Sequence, residues 1–193
     1  MNRRWLTTLT VVLLTAAGVS QSQASRKNRE YKSARGDRVV IVPIGETGES
    51  RVVFFDSNHR RSCTADYTSS DGSHGFVVAK AQWTPDAGFF VFSMTSSGGH
   101  SVMSTPTQFF SLRNQSLCSL DSYAGELPIE FADFGLSAPN TVKVTVNGSE
   151  KPVRVSLGSI DANATNKKHG CVPCKGGLVH DFGDTTPYEH SPN

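Results

Sequence analysis

The chain has 193 residues, enough for one domain and marginal for two. Hydrophobic residues make up 37% and charged residues 19%, and a net charge of +2 gives no argument for nucleic-acid binding. Eleven phenylalanines among many β-branched residues suit strands and turns better than helices.

The first 24 residues read as a cleaved export signal. Arg3 and Arg4 make a basic start, Trp5 to Val19 is apolar but diluted by threonines, and Ser22-Gln23-Ala24 places small residues at a cut after Ala24. The apolar stretch is shorter than the roughly 20 residues a membrane span needs. No cysteine lies near Ala24, which argues against a bacterial lipid anchor, so the membrane enters only through export. Losing Arg3 and Arg4 leaves 17 Lys and Arg against 17 Asp and Glu, a net charge of zero. The expected location is secreted or periplasmic.

Residues 25–37 carry Arg26, Lys27, Arg29, Lys32 and Arg35 with few apolar neighbours, which predicts a basic flexible linker. Arg35-Gly36-Asp37 within it matches a three-residue integrin-recognition spelling. Strands follow at short spacing over Val39 to Pro43 and Arg51 to Phe55. Asp56 to Ser73 is polar and reads as loop. Phe76 to Trp83 and Phe89 to Met94 are apolar runs around Thr84-Pro85-Asp86-Ala87-Gly88. Pro85 pre-sets a turn, Asp86 can bond back to the backbone, and Gly88 can take a positive φ, so a β-hairpin is predicted. Gln108 to Leu112 and Ser116 to Leu120 flank Arg113-Asn114-Gln115, a second hairpin. Val142, Val144 and Val146 alternate with polar residues, and Val153, Val155 and Leu157 do so again beyond Asn147-Gly148, a third. No dozen residues show a helical apolar period. The expected fold is all-β: a small, mostly antiparallel sandwich or partial propeller-like sheet over 38–160. An irregular Cys- and His-containing tail is expected over 161–193.

Ala81-Gln82-Trp83-Thr84-Pro85-Asp86-Ala87-Gly88-Phe89-Phe90-Val91-Phe92-Ser93 resembles one repeat of the TolB-type (WD40-like) β-propellers. Those repeats read Trp-Ser-Pro-Asp-Gly before an apolar strand that ends in Ser. Thr84 and Ala87 depart from that spelling. The resemblance covers these thirteen residues, with no second copy at the 40 to 50 residue spacing of a propeller. It implies a turn joining two strands of a blade, a tryptophan packed between blades, and a binding rather than a catalytic scaffold.

Cys63, Cys118, Cys171 and Cys174 form an even set that favours disulfides in an exported chain. Three connectivities exist. Proximity suggests Cys171–Cys174, which leaves Cys63–Cys118. The Cys-x-x-Cys pair with His169 and His180 also has the spacing of a zinc site, or of a redox pair. A second set, His59, His74 and His100 with Asp66 and Asp71, sits in the loops flanking the central hairpin and could bind a ligand at one end of the sheet. No nucleophile elbow, phosphate loop, dinucleotide fingerprint, zincin helix or calcium loop occurs, and no catalytic residue is assigned. The expected function is non-catalytic binding of a protein or envelope ligand, or a structural role, at the cell envelope or outside the cell. The alternative is metal or thiol chemistry in the tail.

Overall fold

The computed structural model describes residues 27–98, 106–121, 129–146, 151–161, 171–174 and 176–180. The leader expected at 1–24 lies outside them. Among the described residues there are thirteen strands and one short helix. They are β1 (Arg29–Lys32), β2 (Arg38–Ile44), β3 (Glu49–Phe55), β4 (Arg61–Asp66), β5 (Phe76–Trp83), β6 (Phe89–Ser96) and β7 (Thr107–Ser111). Then come β8 (Ser116–Ser119), β9 (Ile129–Ser137), β10 (Thr141–Val146), β11 (Val153–Ser156), helix α1 (Leu157–Asp161), β12 (Cys171–Pro173) and β13 (Leu178–His180). The fold is all-β and mostly antiparallel, as expected.

Three sheets result. The first has the order β1-β2-β3-β4-β13, the second β12-β8-β7-β6-β5, and the third β11-β10-β9. The second sheet is covered on both faces. Phe90, Phe92 and Met94 of β6 turn toward Val39, Ile41, Val52 and Phe54 of the first sheet. Phe89 and Val91 turn the other way, toward Phe134, Val142, Val144 and Val155 of the third. The same split divides Phe110 from Phe109 and Leu117 from Cys118. A strand buried on both faces reads as a continuous apolar run rather than an alternating one. That is why Phe89 to Met94 is unbroken, while β10, with one face buried, alternates cleanly.

Strand β5 shows the same logic with a twist. Phe76 and Val78 are buried, whereas Ala81 and Trp83 pack on that same core. The parity change is absorbed by a bulge between Val78 and Lys80, where Ala79 is extra. Trp83 is half-buried. Its ring meets Phe90 edge-on at 5.1 Å, and its indole N–H donates to the Tyr31 carbonyl at 3.2 Å. The turn after it holds as expected, with one change: the positive φ, 54°, belongs to Ala87 and not to Gly88.

Four expectations are corrected. Within the expected linker, Arg29–Lys32 is an edge strand, paired with β2 over Arg29↔Ile41 to Lys32↔Arg38. Tyr31 docks on Phe90 at 5.4 Å, and this one half-buried ring outweighs the charged neighbours. Arg61–Asp66 is a strand inside the expected loop; its inward residues, Cys63 and Ala65, are too small to mark a strand in the sequence. Cys171–Pro173 and Leu178–His180, from the expected tail, each join a sheet. The first pairs antiparallel with β8 and the second parallel with β4. The disulfides are Cys63–Cys174 and Cys118–Cys171, not Cys171–Cys174 and Cys63–Cys118. Cys171 and Cys118 are directly opposed across two paired strands, with Cα atoms 4.0 Å apart. Cys174 belongs to the other core, beside Cys63. The two cysteines of Cys-x-x-Cys therefore serve opposite faces of the second sheet. Two buried disulfides suggest an oxidising, extracytoplasmic environment.

Candidate functional site

Strand connections alternate between the two ends of the stacked sheets, so each end collects its own set of loops. One end is organised by Glu49, which is 1% exposed. Its carboxylate accepts the Ser69 N–H at 2.7 Å, the Ser69 hydroxyl at 2.8 Å, the Gly75 N–H at 2.6 Å and the Ser97 hydroxyl at 2.8 Å. Burial pushes its pKa up. The bonds from Ser69, Ser97 and Gly75 together outweigh that and hold it below the ordinary value of 4.5. One carboxylate thus ties the start of β3 to the 67–75 loop and to the end of β6. Asp66 is comparable: burial raises it, but Arg51 at 2.6 Å and Thr68 hold it low.

These shifts set the acid response. A carboxyl with a depressed folded pKa contributes stability above its unfolded pKa, and loses it as pH falls through the folded one. Unfolding midpoints should therefore drop steeply below about pH 4.5, and Glu49→Gln should flatten that slope in a thermal titration. Asp121 works in the opposite direction. Burial pushes its carboxyl up to about 7, against a bond from the Thr107 N–H. Its stabilising protonated form is complete below pH 3.8 and lost as pH rises to about 7. Asp121→Asn should raise the midpoint at pH 7.5 and leave it unchanged at pH 4.

The Glu49 hub leaves no room at Gly75. A methyl there would lie 2.2 Å from the Tyr67 carbonyl oxygen and 2.7 Å from the Glu49 carboxyl carbon. Gly75→Ala should cost about 3 kcal/mol or more, combining overpacking with a displaced buried carboxylate. Gly135→Ala is the control, since its nearest neighbour is 3.9 Å away. Equal urea midpoints for the two variants would remove this account.

The histidine set does not assemble as expected. His74 lies at the Glu49 end, exposed, with its Nδ1 against the Asp71 carboxylate and 3.1 Å from the Ser73 hydroxyl. His59 lies beyond the opposite end of β4, at φ 61° in the 56–60 turn that Asp56 holds by accepting from Asn58 and Arg60 at 2.9 Å. About 20 Å of strand separates them. Asp66 is occupied by Arg51. His100 and His169 lie outside the described residues. Only the backbone of His180 is described, opposite Asp66 on β13. The zinc and thiol-redox readings lose their sulfur ligands, because Cys171 and Cys174 are both in disulfides. No group of three metal-ligating residues occurs among the described residues.

The other end carries the candidate site. Five connections converge there: 33–37, 84–88, 112–115, 138–140 and the start of α1. Between them lies an open cleft of about 600 Å³. Arg35, Asp37, Asp86, Arg113, Gln115 and Asn140 supply its polar lining, and Phe89 and Leu112 part of its apolar lining. Each turn is fixed from within. Ser33 Oγ accepts the Arg35 and Asp37 N–H groups at 3.1 and 3.0 Å and donates to Asp37 at 3.2 Å. Asp86 accepts the Thr84 hydroxyl at 2.6 Å, the Gly88 N–H at 3.0 Å and the Asn140 amide at 2.8 Å. Burial raises its pKa, but those bonds and the charge of Arg35 hold it below the ordinary range, so it is ionised at neutral pH. The Leu112 N–H reaches Gly88 O at 3.1 Å, and the Leu157 N–H reaches Asn140 O at 3.1 Å, which joins the turns to one another.

Comparison with protein-family models, with curated proteins and with solved structures finds no match. The cleft escaped the sequence reading because Arg35 and Asp37 fell in the expected linker and Asp86 read only as a turn former. A signal was present all the same: turns of successive antiparallel hairpins fall at the same end of a sheet whenever one connection separates them.

Proposed function

We propose that the protein is an exported, non-catalytic β-domain that binds a ligand in the cleft at the Asp86 end. The observation that carries this reading is the cleft itself: a cavity of about 600 Å³ whose walls come from all three sheets. That volume is in the range of ligand pockets, roughly 300–1,000 Å³. Its polar groups are presented by turns whose backbones hydrogen bonds fix, so little backbone ordering is required on binding. The blade-like spelling of the central hairpin accords with a binding scaffold. The leader-like start and the two disulfides accord with a periplasmic or secreted location.

A fragment screen by NMR on the uniformly labelled mature chain tests the binding reading. Hits should perturb Gly88, Leu112, Arg113 and Gly158 together. Hits gathered at the Glu49 end, with the cleft unperturbed, would move the site. Export is checked by N-terminal sequencing of protein recovered from the periplasm or medium, which should begin at Ser25 and contain no titratable thiol.

A further inference from the structure

The cleft lining is charge-balanced on paper, with two arginines and two aspartates, but the four groups are not equally available. The Asp86 oxygens already accept three bonds from Thr84, Gly88 and Asn140, and Asp37 accepts from Ser33. These oxygens are occupied by turn geometry, although Asp86 keeps its negative charge. Arg35 and Arg113 are exposed, and among the described residues neither guanidinium is hydrogen-bonded, though the charge of Arg35 reaches Asp86. They come from different sheets, the first from the β1–β2 turn and the second from the β7–β8 turn. A guanidinium offers five N–H donors in a planar fork that matches carboxylate and phosphate oxygens. Phe89 and Leu112 stand beside them as apolar wall.

Resting on the cleft as the binding site, we propose that its ligand is anionic: a carboxylate- or phosphate-bearing molecule whose charged group is held by Arg35 and Arg113 while its apolar part lies along Leu112 and Phe89. Arg35-Gly36-Asp37 then acts through its arginine turned to the cleft and its aspartate bonded to Ser33, and not as a free tripeptide.

The test titrates the labelled mature chain with hexanoate, with hexanamide as the uncharged isostere, and with inorganic phosphate. The readout is the arginine Nε–Hε signals together with the Gly88 and Leu112 amides. Hexanoate should shift these signals at least about tenfold more tightly than hexanamide, and Arg35→Gln and Arg113→Gln should each weaken it by about tenfold or more. Both positions are exposed turn sites, so thermal midpoints should stay at the parent value. Tighter binding of phosphate than hexanoate assigns a phosphate-bearing ligand; the reverse order assigns a carboxylate with an apolar body. Equal affinity for hexanoate and hexanamide, or full affinity in both glutamine variants, overturns the anionic assignment and leaves the cleft as the site. If none of the three probes shifts the cleft signals, both the anionic assignment and the cleft reading fail.

Discussion

Removing the Cys63–Cys174 bridge, by Cys63→Ala with Cys174→Ala, should lower stability by about 4–5 kcal/mol. The bridge spans 111 residues of sequence, and a loop that long gives the unfolded chain much freedom to regain. The cost falls on the first core, where both cysteines are buried with Phe54 and Phe90. The Cys118–Cys171 bridge spans 53 residues, and its removal should cost slightly less, about 4 kcal/mol. The smaller loop lies inside the larger, so the quadruple variant should lose less than the sum. Either loss is a large fraction of an ordinary domain's stability, about 5–15 kcal/mol. Urea titration of the non-reduced variants measures it. Peptide mapping without reduction should recover Cys63 linked to Cys174 and Cys118 linked to Cys171; a Cys171–Cys174 peptide would contradict the clasp built from them.

Phe90→Ala should cost about 3–5 kcal/mol. The ring is fully buried, and the rings of Tyr31, Phe54, Trp83 and Phe92 lie 5.4, 6.1, 5.1 and 6.0 Å from it. Those partners come from three strands besides its own, so the vacated space cannot close by moving one of them. Phe55, one residue beyond Phe54, is the comparison. It is half-exposed beneath Arg38, whose guanidinium carbon is 4.3 Å from the ring centre, and Phe55→Ala should cost about 1 kcal/mol. A Phe90→Ala loss no larger than that of Phe55→Ala would mean that β6 is not the shared wall of two cores.

What the sequence made legible was whatever had a period or a turn. The alternation in β10 and β11, the runs in β2 and β3, and the hairpins around Thr84–Gly88 and Arg113–Gln115 follow directly from side-chain parity and turn chemistry. What it hid was whatever depended on distant partners. Strand β1 is four residues with one aromatic ring, and only Phe90, far along the chain, gives that ring a place. Strand β4 turns Cys63 and Ala65 inward, residues too small to register as an apolar face. Proximity in sequence misjudged the cysteines because adjacent side chains of an extended segment point to opposite sides. Cys171 and Cys174 pass one on each side of the second sheet. The candidate site was hidden for the same reason: its charges come from turns of two different sheets, and no local pattern links them.

The segment 171–180 crosses from the edge of the second sheet to the edge of the first. Its backbone joins both: the Cys174 N–H reaches Gln115 O at 2.8 Å, the Gly176 N–H reaches Ser62 O at 2.7 Å, and Gly177 O accepts from Thr64 at 3.1 Å. Every native bridge therefore joins a cysteine delivered early along the chain to one delivered late. On the proposed export route, with the chain emerging N-terminus first into an oxidising space, Cys63 and Cys118 would for a time be the only thiols present. Their union would be a dead end, since the two belong to cores on opposite faces of one sheet. On that proposal, maturation is a problem of timing. The early thiols must stay unpaired, or be released by thiol–disulfide exchange, until the last strands arrive.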